Sequence, residues 1–333
     1  MNPILVEVRR GGVLESFHRG VVCVVDAQGE IIFSKGDIEQ ISYPRSAMKL
    51  FQHIPLISSG IHKVFEFSSK EISIMCGSHN GENQHQEVVY SILDKLGLNE
   101  SHLKCGAQKP TLKSDYEELI RTGKPEMQVH NNCSGKHAGF LALCKKKGYD
   151  IESYLEFDHK LQKEIRKTVS VYYEVDENDL ITGIDGCSAP TFAMPVKNMA
   201  IAFKNLCNPN SNITKVQYKA SQVILESIKK HPEMLAGTNR YCTDLIKVTE
   251  GRIIGKTGAD GIYSLVIPSE GIGITVKIDD GKMGPQYQVV QEILKINGWV
   301  SQKEYNKLEE YRKIELRNFS GKVVGESFPV DLN

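Results

Sequence analysis

Short apolar runs typical of β-strands stand near both ends of this chain of 333 residues, and the long stretch between them has a different pattern. The N-terminal runs occupy residues 4–8, 21–25 and 31–33, and the C-terminal runs occupy residues 253–255, 262–267, 271–278 and 322–324. Runs of this length bounded by turn residues predict strands. Strands from the two ends most economically join one antiparallel sheet.

The middle of the chain has helical spacing. Val88, Val89, Ile92, Leu93 and Leu96 place apolar side chains on one face of a helix. A further helix is expected near the C-terminus, at about residues 286–297.

We therefore predict an α+β fold in two parts. Residues 1–45 and 250–333 form an antiparallel sheet domain, residues 46–249 form a mostly helical domain inserted into it, and the active site lies in the cleft between the two.

Composition excludes several classes of partner and points to one compartment. Lys and Arg number 41, equal to Asp and Glu at 41, so the basic surface that nucleic acids or anionic membranes require is not expected. The sequence opens without the basic leader and apolar stretch of a signal peptide. Its eight cysteines are scattered, unlike the framework of a small secreted domain. We expect a cytoplasmic protein with reduced cysteines.

Three short strings carry the chemistry: Ser46-Ala-Met-Lys49, Ser78-His-Asn and Lys256-Thr-Gly. Their order matches the Ser-x-x-Lys, Ser-x-Asn and Lys-Thr-Gly series of the serine β-lactamase and penicillin-binding-protein fold. Ser46 and Lys49 fall at the start of a helix and share one of its faces, and Lys256 falls on a strand.

In the functional interpretation Ser46 is the nucleophile and Lys49 its base. Ser78 then acts as a proton relay with Lys256. A lysine accepts a proton only when its pKa has fallen through burial or a nearby positive charge. The alternative is a helix cap at Ser46 with an exposed lysine one turn further on.

Longer strings resemble a known family. They are Phe51-Gln-x-x-Pro-Leu, Cys76-Gly-Ser-His-Asn-Gly-Glu82, His130-Asn-Asn-Cys-Ser-Gly-Lys-His137, Gly183-Ile-Asp-Gly-Cys-Ser-Ala-Pro-Thr191, Gly237-Thr-Asn239 and Lys256-Thr-Gly-Ala-Asp-Gly261. The sequence resembles the L-asparaginases of the Rhizobium etli inducible type, which contain zinc and have a serine β-lactamase-like fold. The likeness runs from about residue 9 to residue 280.

The resemblance implies two Ser-Lys pairs, Ser46 with Lys49 and Ser78 with Lys256. It also implies one zinc ion per chain and a homodimer. The implied zinc ligands are Cys133, Lys136 and Cys187, with Asp185 close by. Spacing alone would assign the two cysteines to the core, since they are far apart in the sequence.

The candidate contacts to substrate are inferred from the chemistry of single residues and from their position in these strings. The planar guanidinium of Arg45, next to the nucleophile, suits a substrate α-carboxylate. His79, Asn80, His137 and Asp185 lie in the strings that surround the presumed pocket, and we expect them to contact the substrate. For lone histidines and asparagines, structural hydrogen bonding is an equal alternative.

The function predicted from the sequence is hydrolysis of L-asparagine to L-aspartate and ammonia through an acyl-enzyme at Ser46. The first alternative is a glutaminase or another serine acyl-hydrolase of the β-lactamase type. One methylene in a pocket is worth only about 1–3 kcal/mol of discrimination. The second alternative is a non-catalytic, zinc-dependent protein that binds an amino acid.

Overall fold

The computed structural model describes residues 1–332, which contain strands and helices in comparable number. The strands are β1 (Ile4–Arg10), β2 (Val13–Val25), β3 (Ile31–Lys35), β4 (Ile41–Ser42), β5 (Ile181–Ile184), β6 (Pro190–Pro195), β7 (Ile254–Gly258), β8 (Ile262–Ile267), β9 (Ile272–Ile278), β10 (Ile314–Arg317) and β11 (Val323–Pro329). The helices are α1 (Lys49–Gln52), α2 (Ile54–Ser58), α3 (Ile61–Val64), α4 (Ser69–Met75), α5 (Asn83–Leu96), α6 (Lys113–Arg121), α7 (Ser134–Lys147), α8 (Lys160–Tyr173), α9 (Val196–Asn205), α10 (Lys215–Lys230), α11 (Pro232–Leu235), α12 (Tyr241–Val248), α13 (Pro285–Ile296) and α14 (Gln302–Lys307). Short 3₁₀ helices occupy Arg45–Met48, Glu100–His102, Gln128–His130 and Glu309–Tyr311. Across residues 1–332, every helix is too short or too polar to cross a membrane.

Both chain ends build the large sheet, as the sequence predicts. Its strands follow the order β10-β11-β1-β2-β9-β8-β7, with β3 paired to β2, and every pairing is antiparallel. The two ends join at two pairings, β1 with β11 and β2 with β9, and in the second Val22 lies opposite Val276. The α+β architecture, with a mostly helical middle inserted into this sheet, is thereby confirmed.

The apolar run at residues 322–324 suggests a strand at the edge of the sheet. The last strand of the chain, β11, instead lies inside the sheet. β11 pairs with β1 on one side and with β10 on the other. The edge strand β10 was missed because Glu315 and Arg317 alternate with its apolar residues, and three of its four positions lie in or near solvent. A polar strand of four residues gives little hydrophobic signal.

Strands β7, β8 and β9 form the buried centre of the sheet. Every residue of these three strands is buried. Helices α9 and α13 both pack on β8 and β9. Burial on both faces explains why these strands read as continuous apolar runs instead of alternating patterns.

A second, small sheet was not predicted, and it joins β5 and β6 of the mostly helical middle to β4 of the N-terminal segment. β6 pairs with β4 and with β5. The hairpin between β5 and β6 is closed by two hydrogen bonds, from Asp185 N to Ala189 O at 2.9 Å and from Ser188 N to Asp185 O at 2.9 Å. This hairpin presents Asp185 and Cys187 to the site described next.

Candidate active site

Ser46 lies at the start of the first helical turn, directly beside strand β7. The preceding residue, Arg45, has a left-handed backbone with φ of +50°. Residues other than glycine seldom adopt this conformation, and it clusters at functional sites. A Cβ on Gly258 would lie 2.3 Å from Pro44 O, so only glycine lets the strand approach the turn this closely. This contact brings the Ser46 turn and the Lys256 strand together.

Two serine hydroxyls and a lysine form a continuous hydrogen-bonded chain. Ser78 Oγ lies 2.9 Å from Ser46 Oγ, and Lys49 Nζ lies 3.2 Å from Ser78 Oγ. Lys49 Nζ also contacts Gly77 O at 2.6 Å and Asn132 O at 3.2 Å. A neutral amine has two hydrogens for the two carbonyls and a lone pair for a hydroxyl proton. Lys49 is therefore placed to accept a proton that reaches it through Ser78.

Lys256 is the second buried lysine of the site. Its side chain is 1% exposed, and its Nζ donates to Thr257 O at 2.9 Å. Burial lowers the pKa of Lys256 to about 7, and the nearby charges of Lys49 and Arg240 act in the same direction. Within residues 1–332 no hydrogen bond joins Lys256 to either serine. Its influence on the serines is therefore through charge and proximity.

A small cavity opens at Ser46. Its volume is about 170 Å³. The residues that line it are Arg45, Ser46, Gln108, Asn131, Asn132, Cys133, Asp185, Gly186, Cys187 and Ala259. Sites for drug-sized ligands span roughly 300–1,000 Å³, so this cavity suits a smaller molecule. Ser46 supplies the hydroxyl in the lining, while Ser78, at 8% exposure, lies behind it.

The guanidinium of Arg45 is held between two aspartates. Arg45 Nε and Nη2 lie 2.9 Å and 2.8 Å from Asp185 Oδ1. Arg45 Nη1 donates to Asp260 Oδ2, on the turn between β7 and β8. The carboxylate of Asp185 is nearly covered, with 13% of its side chain exposed, whereas that of Asp260 is 65% exposed. The cluster therefore joins the Ser46 turn, the β5–β6 hairpin and the large sheet.

Two thiols, an amine and a carboxylate converge at one end of the cavity. The ligand atoms of Cys133, Cys187 and Asp185 all lie within 4.8 Å of one another. Lys136 Nζ lies 2.8 Å from Cys187 Sγ. The hydrogen bond from Cys133 is the main cause that lowers the pKa of the Cys187 thiol, and Lys136 adds to it. Burial opposes the charge on Lys136, but Cys187, Cys133 and Asp185 together raise its pKa.

This donor set fits zinc. Thiolates are preferred zinc ligands, and a lysine can join them once its proton is lost. The Nδ1 atom of the fully buried His137 contacts Tyr154 OH at 2.7 Å. Burial lowers the pKa of His137, and a hydrogen bond with the Cys187 side chain opposes that effect. The two thiols, the amine and the carboxylate are therefore the donors that a zinc ion would meet here.

His79 and Asn80 lie behind the serine pair. His79 is fully buried, stacks on His85 at 4.9 Å and contacts Ser134 Oγ at 3.1 Å. Asn80 donates to Glu82 Oε1 and Thr238 O, both at 2.9 Å, and accepts from Arg240 at 2.7 Å. Neither residue lines the cavity. For His79, Asn80 and His137, contact with substrate stays a prediction, and their visible role is to hold neighbouring loops.

Sequence reasoning missed several residues of the site. Asn132 and Asp260 sit inside the strings already quoted, so their positions were marked but their roles were not. The carbonyl of Asn132 accepts a hydrogen bond from Lys49 Nζ, and its Oδ1 accepts one from the Cys133 thiol at 3.0 Å. Gln108 comes from a loop without any signal in the sequence, and its side chain accepts from Asn132 N at 3.2 Å.

The geometry can activate a serine hydroxyl for attack on a carbonyl carbon. Such activation needs a group that takes the proton, within hydrogen-bond reach or one relay away. Ser46, Ser78 and Lys49 meet this requirement through two successive hydrogen bonds. The class that fold and site define is a hydrolase with a serine at its cavity and buried lysines behind it.

The comparison with protein families agrees with this class. Residues 6–329 match the family described as L-asparaginase II. The chain therefore belongs to the L-asparaginase II family, which makes it an amidohydrolase of the asparaginase type acting on a small molecule. No curated protein sequence matches the chain.

Solved structures offer only distant likenesses. A β-lactamase from Mycobacterium bovis is 13% identical, with a TM-score of 0.40 over 88% of this chain and 94% of that one. Mglu, crystallised in its tris and glutamate form, is 11% identical, with a TM-score of 0.39 over 90% of this chain and 63% of that one.

Proposed function

We propose that the chain is a zinc-containing L-asparaginase of the Rhizobium etli inducible type, which hydrolyses L-asparagine to L-aspartate and ammonia. The observation that carries this proposal is the position of Ser46. Its hydroxyl faces a cavity of about 170 Å³ and is linked through Ser78 to the buried amine of Lys49. The family match to L-asparaginase II supports asparagine as the substrate.

In this mechanism Ser46 Oγ attacks the carbon of the side-chain carboxamide. The serine proton passes to Ser78 Oγ, and the proton of Ser78 passes to Lys49 Nζ. The C–N bond then breaks, and ammonia leaves with a proton returned along the same path. Water releases L-aspartate from the Ser46 ester by the reverse sequence, and Ser46 regains its proton.

Lys256 is a second proton acceptor beside this relay. Burial lowers its pKa to about 7, and the nearby charge of Lys49 acts in the same direction. Lys256 can therefore lose its proton near neutral pH. A neutral amine next to the relay can hold a proton during the reaction and return it to the leaving ammonia.

Substrate orientation falls to Arg45 and Asp185. The guanidinium of Arg45 pairs with the α-carboxylate of asparagine, for which its planar donors are suited. Asp185 is held in place by hydrogen bonds from Gly186 N, at 2.8 Å, and from Arg45. Its carboxylate accepts a hydrogen bond from the α-ammonium group of the substrate. Charge pairing with both groups on Cα points the carboxamide, at the other end of the amino acid, towards Ser46.

Zinc is proposed at Cys133, Lys136 and Cys187, with Asp185 close by. The convergence of these donors supports it. When bound, zinc supplies a fixed positive charge at the cavity end, which attracts an anionic or carbonyl oxygen of the substrate. Lys136 must lose its proton to bind a metal, so we expect zinc affinity to fall at low pH.

The cytoplasm is the proposed compartment, and a homodimer is the proposed assembly. All eight cysteines are free, and seven of them are buried, which is typical of proteins kept in a reducing environment. The homodimer rests on the family resemblance. Sedimentation of the purified protein over a concentration series will measure its mass.

The test is ammonia release from L-asparagine and L-glutamine by the wild type and by Ser46→Ala. We expect release from asparagine that exceeds release from glutamine and falls at least about a thousandfold in the variant. Preference for glutamine would establish the glutaminase alternative. Binding of L-asparagine by calorimetry without release, with zinc present, would establish the non-catalytic binding protein.

A further inference from the structure

We propose that Asp260 is a placeholder for the substrate's α-carboxylate: it occupies Arg45 Nη1 in the free enzyme and is displaced when asparagine binds. The proposal rests on the function proposed above and adds a residue that sets substrate affinity. It starts from the contact of Asp260 Oδ2 with Arg45 Nη1, at the edge of the cavity.

Charge balance allows one carboxylate to leave. Arg45 carries one positive charge and is already paired with two carboxylates, Asp185 and Asp260, while Lys277 adds a positive charge near Asp260. A third carboxylate on the same guanidinium would lie close to two like charges, which is electrostatically costly. Exchange of one carboxylate for another on Nη1 keeps the charge of the cluster unchanged and preserves the hydrogen bond.

The contacts identify Asp260 as the carboxylate that leaves. Asp185 Oδ1 accepts from Arg45 Nε and Nη2 and from Gly186 N, and the side chain is 13% exposed. The side chain of Asp260 is 65% exposed; its carboxylate contacts Arg45, and Lys277 contacts its carbonyl. Solvent-exposed ion pairs contribute little free energy. Hydration of the Asp260 carboxylate therefore compensates for the lost contact when the side chain turns away from Arg45.

The backbone keeps Asp260 next to the cavity when its side chain moves. Asp260 has a φ of +58°, in the tight turn between β7 and β8. Its carbonyl accepts from Lys277 Nζ at 2.8 Å. Adjacent Ala259 lines the cavity. The turn thus returns the carboxylate to Arg45 when L-aspartate departs, and Asp260 competes with both substrate and product.

The alternative role for Asp260 is to bind the α-ammonium group of asparagine. The variant Asp260→Asn distinguishes this role from that of a placeholder. Asparagine tolerates a left-handed backbone, so the turn is preserved. If Asp260 is a placeholder, its neutralisation lowers KM for L-asparagine about two- to fivefold, and the effect appears in KM instead of kcat. If it binds the ammonium group, KM rises.

Two shortened substrates sharpen the test. 3-Aminopropanamide lacks the α-carboxylate, and succinamic acid lacks the α-amine. The placeholder predicts that Asp260→Asn lowers KM for succinamic acid and leaves KM for 3-aminopropanamide unchanged. Equal effects on the two compounds would overturn the proposal. Asp280→Asn is the matched control, because it removes a carboxylate that bonds His18 on a neighbouring turn, without contact to Arg45.

Calorimetry of L-aspartate binding to Ser46→Ala gives a readout that does not depend on turnover. Adding Asp260→Asn should tighten this binding by the same two- to fivefold factor. Unchanged or weaker binding would contradict the placeholder. Failure of the proposed function is distinguishable, because the wild type would then release no ammonia from any of the three amides.

Discussion

Replacing Lys256 by methionine should make the protein more stable and inactive. The pKa of this lysine falls from the ordinary value of 10.5 to about 7 because burial penalises the ammonium form. That difference is 10.5 minus 7, and each unit corresponds to about 1.4 kcal/mol. Charging Lys256 therefore costs on the order of 5 kcal/mol more in the folded protein than in the unfolded chain. Methionine fills a similar volume without any charge.

At pH 7 we expect Lys256→Met to exceed the wild type in free energy of unfolding by about 2–4 kcal/mol, because the lost hydrogen bond to Thr257 O offsets part of the gain. The unfolded chain binds more protons than the folded protein between pH 7 and 10.5, so wild-type stability rises with pH across this window. The advantage of the variant should therefore shrink by about 2–3 kcal/mol from pH 7 to pH 9.

Urea denaturation followed by circular dichroism at pH 7, 8 and 9 measures this difference. Comparing the two proteins at each pH cancels the titration of all other groups, provided that the dependence on urea is the same in both. A stability difference that stays constant from pH 7 to pH 9 would refute the claim that Lys256 is buried with a lowered pKa.

Three further outcomes follow from the same site. In wild type, kcat/KM should rise with pH through about 7, because Lys256 must lose its proton before it can hold one during the reaction; a profile flat from pH 6 to 8 would contradict this. Ser78→Ala should lower kcat about 10²- to 10⁴-fold and change KM little, whereas the exposed control Ser101→Ala should retain full activity. Cys187→Ser should lose bound zinc, measured by elemental analysis, while Cys207→Ser retains it.

The large sheet was predictable because burial leaves a direct imprint on sequence. β7, β8 and β9 are covered on both faces; their apolar runs indicated β8 and β9 within one residue and the first part of β7. β10 left no such imprint, since Glu315 and Arg317 face solvent. The small sheet was missed because β4 has only two residues and β5 is mostly exposed.

The motif order predicts one site for Ser46, Lys49, Ser78 and Lys256, but it does not predict how they connect. In the structure, hydrogen bonds join Ser46 to Ser78 and Ser78 to Lys49. The sequence suggested Ser78 as the partner of Lys256, whereas the hydrogen bonds join Ser78 to Lys49. A lysine side chain is long and flexible, so the position of its amine depends on contacts that spacing does not encode.

Long-range contacts explain the other gaps. The pairing of Arg45 with Asp185 and Asp260 joins segments 140 and 215 residues away along the chain. No local periodicity connects such positions. Gln108 likewise reaches the cavity from a loop whose sequence carries no recognisable pattern.

The central claim is that Ser46 carries the acyl group, and peptide mapping by mass spectrometry after acid quench of a reaction with L-asparagine tests it most directly. The account predicts an aspartyl ester on the peptide that contains Ser46, absent in Ser46→Ala. Because Ser78 Oγ lies only 2.9 Å from Ser46 Oγ, the informative contrary result is an ester on Ser78. Sustained ammonia release by Ser46→Ala would contradict the account equally.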